Sequence, residues 1–165
     1  MSAQRRQIAA LSRAVSRRQR FEQDLRARLA QLVAARLPLV QNEAQARHHA
    51  AEREAQARSY RQRISAMMAG AEPFSIDTLT AIRLYADEVD RQYAAACDAV
   101  SAAQQALAAH DAGIASTRRE IAKNRGRIDL CEKRIGALQR VLDGIAADAE
   151  DEDIEETALA RLARG

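Results

Sequence analysis

Residues 79–145 read LTAIRLYADEVDRQYAAACDAVSAAQQALAAHDAGIASTRREIAKNRGRIDLCEKRIGALQRVLDGI. Stepping three and then four residues from Leu79 lands on Leu79, Ile82, Ala86, Val89, Tyr93, Ala96, Val100, Ala103, Leu107, His110, Ile114, Thr117, Ile121, Asn124, Ile128, Cys131, Ile135, Leu138, Leu142 and Ile145. Only three of these twenty positions, His110, Thr117 and Asn124, are polar. An apolar seam that keeps a 3-4 spacing without a stutter over this length predicts one coiled-coil helix about 100 Å long.

The first half carries a weaker version of the same lattice, from Ile8, Leu11 and Val15 through Leu25, Leu29 and Leu32 to Ala57, Tyr60, Ile64 and Met67. It includes charged members at Arg18, Glu22, Arg36, Glu43 and Arg53. Between the halves stands Gly70-Ala-Glu-Pro73-Phe-Ser-Ile-Asp77. Gly70 suits the end of a helix, Pro73 cannot continue one, and Ser75 or Asp77 can cap the next. The expected fold is all-α: a long antiparallel two-helix coiled-coil hairpin over residues 1–147, with helix one at about 3–69, a loop at 70–75 and helix two at about 76–147. Residues 148–165 are expected to be a short amphipathic acidic tail, in which Ile154, Ala158 and Leu162 form two or three turns of marginal helix.

An antiparallel hairpin requires that residues facing each other have numbers with a constant total. Pairing Met67 with Leu79 sets that constant at 146, and the two lattices then match throughout: Tyr60 with Ala86, Leu32 with Ile114, Leu25 with Ile121, Val15 with Cys131. Ala50 opposes Ala96, so the helices are expected to approach most closely there. Polar members coincide too, Arg36 opposite His110 and Glu22 opposite Asn124, which predicts polar layers that set register at some cost in stability. Pro38 conflicts with the helical pattern around it. It removes one backbone hydrogen bond, at about 3 kcal/mol in a helix interior, and predicts a kink. The alternative, a break at Arg36 to Leu39, sits poorly with the unbroken seam opposite.

Composition excludes an ordinary globular core. Of 165 residues, five are aromatic and 38 are alanine, so few large side chains exist to fill several packed layers. The apolar stretches are too short to span a bilayer, so no membrane insertion is expected. The N-terminal segment returns to arginine too soon for a secretory leader, which points to a cytoplasmic protein. Cys97 and Cys131 would lie roughly 50 Å apart on one helix, beyond disulfide reach. His48, His49 and Glu52 have a metal-like spacing, but two or three ligands on one exposed helix do not make a site. The chain shows no phosphate-binding loop, nucleophile elbow or triad spacing. No catalytic residue, metal or cofactor is therefore expected.

The net charge of +3 hides an asymmetry. Residues 1–70 carry 14 arginines against 5 acids, whereas residues 148–165 carry 2 basic and 7 acidic residues. The basic excess is densest at Arg5, Arg6, Arg13, Arg17, Arg18 and Arg20, beside the expected acidic tail, and partial self-neutralisation is the simplest expectation. Nucleic acid fits the arginines. The nearby acids, and the lack of aromatic residues for base stacking, argue against it. A protein partner with an acidic socket explains the same patch.

The opening Arg5-Arg6-Gln-Ile8-Ala-Ala-Leu11, followed by Arg17-Arg18-Gln-Arg20, in a basic, alanine-rich antiparallel hairpin, resembles the central-stalk proteins of type III secretion. These are the FliJ-like flagellar and YscO-like injectisome families, including small Hrp-type coiled-coil proteins. The resemblance implies a cytoplasmic, non-enzymatic stalk, peripheral to a membrane-embedded secretion apparatus, that stands in the pore of a hexameric export ATPase. It assigns ATPase contact to Arg5, Arg6, Arg13, Arg17 and Arg20, and contact with the export gate protein or secretion chaperones to Met68, Phe74 and Ile76. The chain itself is expected to be a monomer or weakly self-associating. Two other classes remain open from the residues: an arginine-rich RNA-binding arm, and a generic scaffold that pairs through its polar seam.

Overall fold

The computed structural model describes residues 3–71 and 73–162. Two helices make up the fold: α1, Ala3–Met68, and α2, Ile76–Leu162. They pack against each other as a helical hairpin, and no strand occurs among the described residues. The turn between them is local chemistry. Gly70 has φ 77°, the left-handed conformation that glycine adopts without strain. Its N–H donates to the Met67 carbonyl at 3.1 Å, and the Ala71 N–H donates to the Ala66 carbonyl at 3.0 Å, the paired bonds of a Schellman end. Of the two candidate caps, Ser75 takes the role: its Oγ accepts the Thr78 N–H at 3.1 Å. Asp77 sits in the first turn, where a negative charge complements the helix dipole.

The chain divides into two compact units, Met1–Leu29 with Thr117–Gly165, and Ala30–Ser116. In each, the core is the line of seam side chains. Val15, Leu25, Ile128 and Leu138 are buried in the first unit, and Ala57, Met67, Ile82, Ala86, Val89, Ala96 and Ile114 in the second. Glu22, Thr117 and Asn124 are buried as polar members. Every one of these residues lies on the 3-4 lattice read from the sequence. Cross-helix contacts keep the register as well: the rings of Tyr60 and Tyr85 stack with centroids 6.2 Å apart, one residue from the expected Tyr60–Ala86 pair.

Pro38 lies inside an uninterrupted α1, so the break at Arg36 to Leu39 does not occur. α2 in turn does not stop near 147. It runs through the acidic stretch to Leu162, so the expected tail is helical over its described part. Between Ile145 and Leu162 the sequence has no glycine or proline, and alanine and glutamate propagate a helix well. Carboxylates oppose the helix dipole only in its final turn, and that turn holds Arg161 instead. Residues 163–165 of the expected tail lie outside the described residues, as do the side chains of Ala158 and Leu162.

Candidate functional site

The arginine group assigned to a partner lies on α1 in the first unit, and all five members, Arg5, Arg6, Arg13, Arg17 and Arg20, are exposed. At about 100° per residue, Arg6, Arg13, Arg17 and Arg20 fall within about 60° of the helix circumference, and Arg5 stands off that face. Asp24 closes the ladder. Arg13, Arg17 and Arg20 line an open concavity with Ser12 and Ser16. Among the described residues, Arg6, Arg13, Arg17 and Arg20 make no ion pair.

Other arginines differ in this respect. Arg36 donates to both carboxylate oxygens of Asp111 at 2.7 and 3.1 Å, and Arg61 reaches Asp90 across the helices at 2.6 Å. Arg58 pairs with Glu54 along α1 at 2.9 Å, and Arg47 with Glu43. The cause is the charge of the facing helix. In the second unit, α2 from residue 76 to 116 carries two basic and six acidic residues. In the first, residues 3–29 of α1 carry eight basic and two acidic residues, and residues 117–143 of α2 carry eight basic and four acidic, an excess of ten positive charges. The ladder has no acidic helix to meet. Among the described residues no ion pair joins Arg6, Arg13, Arg17 or Arg20 to the acidic run, which continues along α2 past residue 143, the position opposite Ala3 in the register.

Two polar layers interrupt the seam. In the first unit, Asn124 clamps Arg18: its Nδ2 donates to the Arg18 carbonyl at 2.9 Å and its Oδ1 accepts from Arg18 Nη1 at 3.4 Å. Glu22, expected opposite Asn124, instead accepts from Arg125 Nε at 2.9 Å and Arg26 Nη2 at 2.5 Å. The Arg125 hydrogen bond above all, with Arg26 beside it, lowers the Glu22 carboxyl below its ordinary value, against the opposing effect of burial. In the second unit, Arg36 passes over its expected partner His110 and takes Asp111, whose carboxyl is lowered by that bond. His110 Nε2 donates to the Leu32 carbonyl at 2.6 Å. These layers are satisfied internally and leave nothing aimed at a ligand.

At the loop end, Met68, Phe74 and Ile76 are exposed at 60, 42 and 80%. Leu84 and Tyr85, at 66 and 65%, add to the exposed apolar surface of this part of the second unit. Both fall between the seam positions Ile82 and Ala86: Leu84 lies off the seam, and Tyr85, although exposed, lays its ring against Tyr60 of α1.

Chemistry is sparse elsewhere. His48 and His49 approach the Glu52 carboxylate at 3.5 and 3.9 Å, but no group of three or more His, Cys, Asp or Glu able to hold a metal exists among the described residues. Cys97 and Cys131 are free thiols, one in each unit. No helix of the described residues is long and apolar enough to cross a membrane.

A family model described as "Bacterial type III secretion protein (HrpB7)" matches residues 6–162. No curated protein and no solved structure matches the chain.

Proposed function

Because the chain belongs to the HrpB7 family of bacterial type III secretion proteins, we propose that it is a non-enzymatic coupling component of the export apparatus, a stalk that contacts a hexameric export ATPase and links it to the export gate or to chaperone-bound cargo. The family membership supports a role in the secretion apparatus. ATPase contact falls to the end bearing Arg5, Arg6, Arg13, Arg17 and Arg20, and gate or chaperone contact to Met68, Phe74 and Ile76. The location that goes with this role is cytoplasmic and peripheral to the membrane-embedded apparatus.

The observation that carries the assignment is the exposed ladder of Arg6, Arg13, Arg17 and Arg20 on a unit with ten excess positive charges in its paired part. Exposed arginines of this kind accelerate encounter with an acidic surface, and arginine is enriched among the residues that anchor interfaces. The exposed Met68, Phe74 and Ile76 supply apolar anchors of a different chemistry at the loop end, which suits a different partner.

The test is ATP hydrolysis by the purified export ATPase of the same secretion system, with and without the chain. Wild-type chain is expected to stimulate turnover, and R13E/R17E/R20E to lose the stimulation while keeping its helical circular dichroism. A loop-end variant, M68D/F74D/I76D, keeps the stimulation and loses binding to the gate or chaperone. Equal stimulation by wild type and the arginine variant would falsify the assignment.

A further inference from the structure

α1 begins at Ala3, and the register places residue 143 opposite it, so α2 from Gly144 to Leu162 has no α1 residue beside it among the described residues. Every described side chain of this overhang is exposed, including Ile145 at 54% and Leu159 at 65%. As a continuation of α2 the overhang needs no nucleation of its own, but it lacks the tertiary packing that supplies most of a helix's stability in proteins. The overhang also has a one-sided charge pattern: Asp148, Asp151, Glu152 and Glu155 are spaced i, i+3, i+4 and i+7, so they share a face within about 100°. On α1 of the same unit, Arg13, Arg17 and Arg20 are spaced i, i+4 and i+7, exposed and without an ion pair among the described residues. The two ladders have the same axial rise, about 10 Å.

One chain cannot bring them together, because α2 is continuous and carries its acids beyond the start of α1, away from residues 13–20. A second copy can. We infer that the acidic overhang of α2 docks along the Arg13–Arg17–Arg20 face of another copy of this chain, with the reciprocal contact completing a two-fold dimer. With the ends of the two copies overlapping by about six residues, about 9 Å, the overhang runs parallel to the first turns of the partner's α1 and brings Asp148, Asp151, Glu152 and Glu155 level with Arg13–Arg20. The acidic face and the arginine face then lie side by side over about 10 Å, and a two-fold axis makes the contact twice. Docking gives the overhang a packing neighbour, and it gives Arg13, Arg17 and Arg20 the carboxylates they do not meet among the described residues. The inference stands on the charge pattern and register alone and does not require the ATPase reading.

The experiment uses the purified full-length chain in analytical ultracentrifugation. Wild type is expected to form a dimer that dissociates as salt rises from about 0.1 M to about 1 M, over which the screening length falls from about 10 to about 3 Å. Two variants are then compared, D151K/E152K/E155K with a basic overhang and R13E/R17E/R20E with an acidic face. Each alone sets like charges against each other at both contacts and is expected to be monomeric. With six contacts reversed, each worth about a factor of two, the dimer weakens by about fiftyfold. Mixed together, the two variants are complementary at both contacts, so a heterodimer returns. Circular dichroism establishes that both variants remain helical. A wild type that stays monomeric at low salt overturns the proposal, as does either variant that dimerises alone, or a mixture that does not associate. Dimerisation that survives both reversals would place self-association on another face.

Discussion

Three glycines stand in the interior of α2 within one unit, at 126, 136 and 144, and a methyl group built on any of them meets nothing within 4 Å. Glycine in a helix interior is less favourable than alanine by about 0.8–1.0 kcal/mol, because the unfolded chain loses more freedom on ordering. Replacing all three by alanine is therefore expected to stabilise the chain by about 2–3 kcal/mol. The sites are eight to ten residues apart, about 12–15 Å along the helix, so their effects should add. For a chain of this length that corresponds to a rise of about 5–10 °C in the midpoint. Thermal melts followed at 222 nm read it directly for G126A, G136A, G144A and the triple variant. Gly70 supplies the opposite sign. Its φ of 77° is a conformation that a residue with a Cβ adopts at a cost of about 1–2 kcal/mol, so G70A should melt lower. A midpoint that falls for G126A or G144A would refute the reasoning, since it would mean that something approaches those positions closely enough for a methyl group to clash.

Seam and surface leucines should separate cleanly. Leu25 is 4% exposed, and L25A is expected to cost about 2–5 kcal/mol in urea unfolding, whereas Leu130 is 69% exposed and L130A should stay within about 0.5 kcal/mol of wild type. The polar layers predict acid sensitivity. Glu22 and Asp111 have carboxyls lowered by Arg125 with Arg26 and by Arg36 respectively, so each contributes stability above the ordinary carboxylate range and loses it as pH falls through its own lowered value. The urea midpoint of wild type should drop on acidification below about pH 4.5. E22Q should flatten part of that drop, and an unchanged slope in E22Q would show that the layer is not the origin.

The seam was legible because only one period places apolar residues on a single face of a helix over so many turns, and a second, weaker lattice had to agree with it in register. The turn was legible for local reasons, since Gly70 and Ser75 bring the conformation and the acceptor that their positions need. The partners within the polar layers were not. Register sets which Cα positions oppose, but an arginine side chain reaches a full turn along the facing helix, so Arg36 finds Asp111 rather than His110 and Glu22 finds Arg125 rather than Asn124. The end of α2 is hard to read from the sequence, because a run of acids has the composition of a solvated end, while α2 continues through it to Leu162 where no glycine or proline interrupts it. The overhang, and with it half of the proposed docking surface, follows from that one difference.

Folding physics does not account for the arginine ladder. Positions 13, 17 and 20 are exposed and lie off the seam, and glutamate or glutamine would propagate α1 there about as well as arginine. Ten excess positive charges in the paired part of one unit repel each other and oppose compaction. The other unit shows what relief looks like: its α2 is acidic, and Arg36 and Arg61 are taken up by Asp111 and Asp90. A charge pattern that costs stability and is left unrelieved within its own hairpin is accounted for by something outside it. Both the export ATPase and the overhang of a second copy would draw on the same guanidinium groups, so the two contacts exclude each other wherever they overlap. R13E/R17E/R20E should then abolish both, whereas D151K/E152K/E155K should abolish the dimer and leave ATPase stimulation intact or raised. If the overhang variant loses stimulation as well, the overhang itself belongs to the ATPase contact, and the two surfaces are one.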